Sequence, residues 1–284
     1  MIALNTSTLT TETETAAQSL DHVRVKAPGP RSRKRLAGLA GFGPMILGLT
    51  PLVIGLLAWQ IFGSEVSFTF PRPSTWWDAT QQMYDSGALM PAIRETLATL
   101  VIGLALSIVL GGIVGWVVGR SRQLERTLSP LLDFFRSMPA PALIPVITVL
   151  LGASVTTGAV IIIIGVMWPI LLNTASARRN LPEVRLEMSG VLGLSRSAKM
   201  WRVIFPSLIP AMMTGIRIAA STGFVVVLVV DILGAGDGIG RLLLVSQQTF
   251  DAPAVWALLT IVGLLGLLVN GLAATADGWV RRSM

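Results

Sequence analysis

The sequence contains no cysteine, one histidine and three lysines, and each shortage excludes a kind of chemistry. Without cysteine, neither a disulfide nor a thiolate metal site can form. The histidine, His22, lies in a polar N-terminal segment, so histidine chemistry in the apolar core is excluded. Lys26, Lys34 and Lys199 do not follow a glycine, as the phosphate-binding pattern G-x4-G-K-[ST] requires. We therefore expect no catalytic residue, no metal site and no bound cofactor in this chain.

Charged residues are also scarce, because they make up 13% of the 284 positions whereas hydrophobic residues make up 52%. Soluble domains carry about 25% charged residues, so the composition indicates a membrane protein. The net charge of +7 raises the alternative of a nucleic-acid partner. The positions of the basic residues decide between these two interpretations.

The chain begins with a polar, basic tail over residues 1–35, and long uncharged stretches begin after it. We therefore predict a transmembrane domain over residues 36–282. About 20 apolar residues in a helix cross a hydrocarbon core of about 30 Å. Residues 137–177 carry no charge over 41 positions, so they hold the end of one span and the whole of the next. Six spans are predicted, at about residues 40–62, 93–119, 128–151, 157–177, 207–230 and 253–277. The third should be kinked by its prolines, Pro139, Pro141 and Pro145.

The basic residues are unevenly distributed between the two predicted sides of the membrane. If the N-terminus is inside, 17 lysines and arginines lie in inside segments, and the outside segments hold only Arg72, Arg94 and Arg241. Basic residues concentrate on the cytoplasmic side of membrane proteins. Both termini are therefore predicted to be cytoplasmic, and the net charge needs no nucleic acid.

A long polar segment with helical periodicity, residues 180–205, separates the fourth and fifth predicted spans. Asn180 is predicted to cap a first helix, which Gly193 ends, and Ser195 to cap a second. Apolar residues recur at near-helical spacing in the first helix, at Leu181, Val184, Met188, Val191 and Leu192. The pattern indicates a pair of cytoplasmic helices.

Part of this segment resembles the "EAA" loop, E-A-A-x3-G-x9-I-x-L-P, of permease subunits of binding-protein-dependent ABC importers. The matching positions are Glu187, Met188, Ser189, Gly193, Val203, Phe205 and Pro206. Glu, Gly and Pro agree with the pattern, whereas both alanines, the isoleucine and the leucine are replaced. The resemblance implies that these residues couple the chain to a separate ATPase subunit. The alternative is an ordinary amphipathic connector.

Two further stretches resemble the sulfonate, taurine and nitrate branch of these permeases, namely DFFRSMPAPALIPVITVLLG at 133–152 and VVDILGAGDGIG at 229–240. The resemblance implies an all-α, six-span type I importer permease in the bacterial inner membrane. It also implies two ATPase subunits that bind ATP and Mg²⁺, a second permease copy forming a homodimer, and an external binding protein. The cargo would be a small anion such as a sulfonate, taurine or nitrate.

Polar residues inside the apolar spans are candidates for the transport pathway, since burying them in a membrane is costly. They are Arg217, Ser221, Thr222, Asn173, Arg136 and Asp231. Each has a structural alternative. Arg136 can pair with Asp133 three positions away, Asp231 can hold the glycine-rich turn that follows it, and Arg217 can meet a carboxylate or a phospholipid. The hydroxyls can satisfy their own helix.

Two other classes of function compete with the importer. A gradient-driven secondary transporter would place ionisable residues at mid-membrane and show repeated halves with broken helices. Arg217 is the one charge deep in a span, and no convincing internal repeat is present. A membrane scaffold without transport activity would need no polar helix pair at this spacing.

Overall fold

The computed structural model describes residues 43–64 and 69–283, which form helices and connecting turns without a strand. The predicted tail, residues 1–35, lies outside the described residues. The described residues fall into two compact units, which divide between residues 55 and 56. The described residues of the first unit, 43–55, are helical.

Eleven α-helices and one π-helical turn follow one another along the described residues. They are α1 (Gly43–Phe62), α2 (Pro73–Asp85), α3 (Leu89–Val118), α4 (Arg122–Ser137), α5 (Ala140–Leu151), α6 (Val155–Arg179), α7 (Glu183–Val191), α8 (Arg196–Lys199), the π turn (Met200–Ile204), α9 (Phe205–Ile232), α10 (Ile239–Gln248) and α11 (Ala252–Ser283). The prediction of an all-α fold is confirmed.

Four helical stretches in the described residues are long and apolar enough to cross a membrane. They are Leu89–Val118, Val155–Arg179, Arg196–Ile232 and Ala252–Arg282. The pair α4 and α5 adds a fifth if it counts as one broken span. The apolar part of α1, Thr50–Phe62, is shorter than a full crossing.

The segment predicted as a single span at 128–151 is divided into two helices whose axes differ by 81°. Met138 and Pro139 leave the helical conformation, with ψ angles of 122° and 114°. A residue before proline avoids the helical region because the proline ring crowds its backbone. The break therefore lies at Met138, immediately before the first of the three prolines.

The core surrounds α6, which packs between α3 and α9. Ile161, Ile162, Val166 and Ile170 of α6 are fully or nearly fully buried against apolar side chains of these two neighbours. α11 lies against the far side of α9. The helix that follows the polar segment, α9, is thus an integral part of the core.

Small residues on one face of α3 allow its backbone to approach α6 closely. Gly111, Gly115 and Gly119 recur every four residues, and a Cβ at any of them would collide with a carbonyl oxygen of α6. Close contact of this kind holds membrane helices together where lipid supplies no hydrophobic drive. These three glycines therefore allow the close contact between α3 and α6.

Apolar side chains cover the outward faces of the bundle. Val149 is 86% exposed, Leu150 75% and Leu267 70%. Such a surface would be unfavourable in water but is the expected one against lipid.

Candidate functional site

The first helix of the polar segment, α7, begins at Glu183 and not at the predicted position near Leu181. Asn180 ends α6, and its backbone N–H donates to the carbonyl of Ser176. The prediction that Asn180 caps the next helix is therefore wrong. Pro182 occupies the cap position, where its missing N–H costs nothing, and Glu183 places a carboxylate in the first turn.

A glycine turn ends α7 as the sequence predicts. Gly193 adopts φ = +63°, and its N–H donates to the carbonyl of Gly190, while Leu194 donates to Ser189. This pair of bonds is the Schellman arrangement, which needs a left-handed residue at that position. Ser195 then caps α8 by accepting the N–H of Ala198.

The two faces of α7 have opposite surroundings. Leu186 packs on a small core with Leu181, Ile204 and Leu208, and Ser189 is 2% exposed on the same side. The outward side forms a patch that we call the α7 surface, composed of Val184, Glu187, Met188, Val191 and Leu192. Its apolar members are 59–89% exposed. The apolar residues that recur with helical spacing therefore lie on the exposed face of this helix. Leu181 is the exception, because it is buried in the small core.

The π turn joins the polar segment to α9. Phe205 donates its N–H to the carbonyl of Met200, five residues back, and Pro206 follows in the first turn of α9. A proline ring would clash with the carbonyl four residues before it in a regular helix, so the wider turn accommodates Pro206. Trp201 is exposed and packs on Phe205 with ring centroids 5.4 Å apart.

The seven residues of the predicted coupling motif therefore occupy different environments. Glu187 and Met188 lie on the α7 surface, Ser189 is buried beneath it, and Gly193 makes the turn. The remaining three lie in the π turn and at the start of α9: Val203, Phe205 and Pro206. The structure thus separates exposed residues that can contact a partner from residues that hold the helix pair in shape.

Hydrogen bonds connect α7 to the following helices. The Arg185 guanidinium donates to the Ser207 hydroxyl over 3.3 Å, and the Lys199 ammonium donates to the carbonyl of Leu186 over 3.1 Å. With the small core beneath them, these contacts attach α7 to α8 and to the start of α9.

A polar stripe runs along the exposed face of α9. We define it as Arg217, Ser221 and Thr222, which are all exposed in the single chain. Ser221 lies 3.3 Å from the side-chain oxygen of Asn270 on α11, a residue that the sequence analysis did not select. Within the described residues, Arg217 forms no ion pair. An unpaired guanidinium on a spanning helix needs water or another protein surface, since lipid would leave its charge uncompensated.

Asn173 and Arg136 lie on other helices and bond locally. The Asn173 amide donates to the carbonyl of Pro169 on its own helix over 2.7 Å. Arg136 pairs with Asp133 over 3.3 Å, and both side chains are more than half exposed. Neither residue forms a hydrogen bond to the α9 stripe.

Asp231 is 1% exposed and belongs to a buried network at the far end of α9. The Thr96 hydroxyl of α3 donates to its carboxylate over 2.8 Å and accepts the N–H of Ile239 over 2.9 Å. The glycine-rich turn packs so closely that a Cβ at Gly238 would overlap the carboxylate. This placement favours the structural interpretation of Asp231, as the support of the turn between α9 and α10.

The chain belongs to the family described as the binding-protein-dependent transport system inner membrane component, whose model matches residues 107–282. The sequence prediction of a permease subunit of a binding-protein-dependent ABC importer is therefore confirmed. As a multi-span permease it resides in the inner membrane and has no catalytic role of its own.

Several named permeases are similar to this chain over most of its length. The bicarbonate transport system permease protein CmpB of Synechococcus elongatus is 29% identical over 262 residues, covering 88% of this chain and 89% of its own. The nitrate import permease protein NrtB of Synechocystis is 25% identical over 260 residues, covering 88% and 94%. The formylaminopyrimidine transport permease protein ThiX of Halalkalibacterium halodurans is 32% identical over 176 residues, covering 62% and 70%.

Among solved structures, the inward-facing MetNI methionine ABC transporter matches with a TM-score of 0.57. The match covers 69% of this chain and 97% of the MetNI chain at 22% identity. It establishes the type I importer permease fold.

Proposed function

We propose that two copies of this chain form a pathway through which a small anion enters the cell, driven by ATP hydrolysis on two separate subunits. An external binding protein delivers the anion to the pathway. The permease binds no cofactor, and ATP and Mg²⁺ bind to the ATPase subunits. The observation that carries this proposal is the α7 surface, an apolar patch around Glu187 on a polar helix.

The α7 surface has the composition of a docking site for a protein. Val191 and Leu192 are 89% and 73% exposed at the tip of α7, outside the spans. Large apolar side chains grouped on a water-facing helix indicate a partner that covers them. In the EAA-loop permeases that this segment resembles, the partner is the ATPase subunit, with Glu187 at the motif's acidic position.

Movement of α7 would reach the pathway through α9. Arg185 bonds α7 to Ser207 at the base of α9, and Lys199 bonds α8 to α7. α9 carries the polar stripe about three turns further along the same helix. A shift of α7 on ATPase closure would therefore move Arg217 with it. This coupling would convert nucleotide binding by the ATPase subunits into a change in the side of the membrane to which the pathway is open.

The polar stripe favours an anionic cargo. Arg217 supplies a positive charge on the exposed face of a spanning helix, with the hydroxyls of Ser221 and Thr222 one turn away. An arginine in a dehydrated pathway stabilises an anion by a charge-assisted hydrogen bond. The relatives named for bicarbonate and nitrate agree in charge with this proposal, and a sulfonate or taurine satisfies the same chemistry.

In the proposed orientation both termini and the α7 surface lie in the cytoplasm, whereas α2 and α10 lie outside. The distribution of basic residues supports this orientation. The polar stripes of the two copies face each other across the dimer axis, which places Arg217 away from lipid.

The test is purification of the full chain from its native membrane in a mild detergent, with identification of associated proteins and an assay of MgATP hydrolysis. Recovery of an ATPase subunit that is lost on Met188→Asp supports the proposal. Recovery of the chain alone, without hydrolysis and with uptake abolished by an ionophore, would overturn it in favour of a gradient-driven transporter. The matched control is Gln123→Asp, an exposed position on α4 outside the α7 surface.

A further inference from the structure

A pocket that the transport proposal does not use lies beside the start of α7, which contributes Glu183 and Leu186 to its lining. Its volume is about 360 Å³, and four arginines line it: Arg120, Arg122, Arg178 and Arg179. We call it the arginine pocket. Among the described residues that line it, Glu183 is the only acid.

The close packing of α3 on α6 brings these arginines together. Gly119 ends α3 so near α6 that a Cβ there would collide with Ala175 and with the Cβ of Arg178. Arg120 follows Gly119 directly, and Arg178 and Arg179 form the last turn of α6. The negative end of the α6 dipole favours cations in that turn. The fold therefore concentrates positive charge where two helix ends meet.

The charge of the arginine pocket is only partly compensated. Arg179 forms an ion pair with Glu125 of α4. The Nε of Arg178 is buried and has no hydrogen-bond partner within the described residues. A buried donor without an acceptor is costly, and neighbouring like charges increase that cost. The arrangement would be relieved by an anion with several acceptor oxygens.

We infer that the arginine pocket binds a phosphate group, carried by an anionic phospholipid headgroup or by a free phosphate compound. A phosphate offers several oxygens to guanidinium groups, which bind it with two parallel hydrogen bonds. The pocket lies at the ends of two spanning helices, the height at which lipid headgroups meet a protein. Its assignment to the cytoplasmic leaflet rests on the proposed orientation, but its ligand does not depend on the cargo or on ATPase docking.

The experiment is native mass spectrometry of the full chain in detergent, incubated separately with phosphatidylglycerol and with phosphatidylcholine. Arg178→Gln is compared with Arg126→Gln, an exposed arginine on α4 that does not line the pocket. We expect the native chain and Arg126→Gln to retain phosphatidylglycerol and not phosphatidylcholine. Retention by Arg178→Gln should fall about tenfold, the usual effect of losing one charge-assisted hydrogen bond.

A second measurement distinguishes the two sources of the phosphate group. If inorganic phosphate at millimolar concentration raises the Tm of delipidated protein and displaces phosphatidylglycerol, the ligand is a free phosphate. If phosphatidylglycerol alone raises the Tm, the ligand is a lipid. Equal behaviour of Arg178→Gln and Arg126→Gln toward both compounds would overturn the inference.

Glu183→Gln separates loss of binding from loss of folding, because it changes retention in the opposite direction. Removing the acid that lines the pocket should increase retention of the phosphate ligand by several-fold. If Arg178→Gln does not fold, unchanged or lower retention by Glu183→Gln is the result that contradicts the phosphate site. ATPase recovery with the native chain remains a separate readout, so failure of the transport proposal would be distinguishable.

Discussion

Glu187 and Ser189 lie two positions apart in the chain and face opposite ways. Residues two positions apart on a helix are separated by about 200° around its axis, so Glu187 points outward and Ser189 points into the small core. Ser189 donates to the carbonyl of Leu186 over 2.6 Å, whereas Glu187 is exposed. A motif read as one functional unit thus contains an exposed residue and a buried packing residue two positions apart.

Reversing the charge of Glu187 should uncouple transport from ATP hydrolysis. Because the side chain is exposed, Glu187→Arg should leave membrane insertion and Tm unchanged. A charge reversed at a protein interface costs several kcal/mol, so uptake should fall at least tenfold. Uptake by the complex in proteoliposomes measures this, with Gln123→Arg as the control for added positive charge. Full uptake by Glu187→Arg would remove this residue from the coupling role.

Removing the charge of Arg217 should impair movement of the anion and not assembly. We expect Arg217→Ala to lower anion uptake at least tenfold while the ATPase subunits still co-purify, because a charge-assisted hydrogen bond contributes about 1.5–3 kcal/mol. Arg217→Lys should retain part of the uptake, since it keeps the charge but not the planar guanidinium. Unchanged uptake by well-folded Arg217→Ala would leave Arg217 with a packing role only.

At the scale of secondary-structure elements, two glycines of the polar segment provide a matched comparison. Gly193 has φ = +63°, whereas Gly190 is an ordinary helical residue with open space beside it. A left-handed alanine costs about 1–2 kcal/mol, so Gly193→Ala should shift α7 and weaken ATPase association. Gly190→Ala should be neutral or stabilising. Equal ATPase recovery from the two variants would show that the turn does not set the α7 position.

The close contact between α3 and α6 leads to a second prediction at the scale of secondary-structure elements. A Cβ at Gly115 would collide with the carbonyl of Leu171, whereas Gly271 on α11 has no atom nearby. Gly115→Ala should therefore cost about 1–3 kcal/mol through overpacking and lower the Tm in detergent. Gly271→Ala should leave the Tm unchanged or raise it. Equal Tm values for the two variants would contradict the proposed role of Gly115 in close helix packing.

For the whole molecule, the absence of cysteine makes the proposed orientation directly measurable. Ser86→Cys after α2 and Ser197→Cys on α8 each introduce a single thiol at an exposed position. In intact cells, a membrane-impermeant maleimide should label Ser86→Cys and should reach Ser197→Cys only after permeabilisation. The reverse pattern would invert the topology and place the α7 surface outside, where no ATPase could reach it.

Local chemistry made some elements of this fold predictable. Gly193 after an apolar run predicted the turn, because glycine readily adopts a positive φ. The prolines from Pro139 onward predicted a kink in the third span, because a proline restricts its own φ and the conformation of the residue before it. α10 was missed, since the glycines around Ile239 favour a loop and its helix is held by packing of Leu242 and Leu243. Asn180 was assigned to the wrong helix because a cap residue suits either neighbour until the packing is known.

The sequence by itself determined the membrane setting, the family and the polar helix pair, since composition, uncharged length and motif spacing are properties of neighbouring residues. Tertiary structure alone decided which residues of the motif are exposed, because the periodicity of α7 does not say which face is covered. It also placed Thr96 within hydrogen-bonding distance of Asp231, 135 positions away in the sequence, and brought four arginines together where α3 meets α6. These associations depend on helices packing against one another, and no local pattern records that packing.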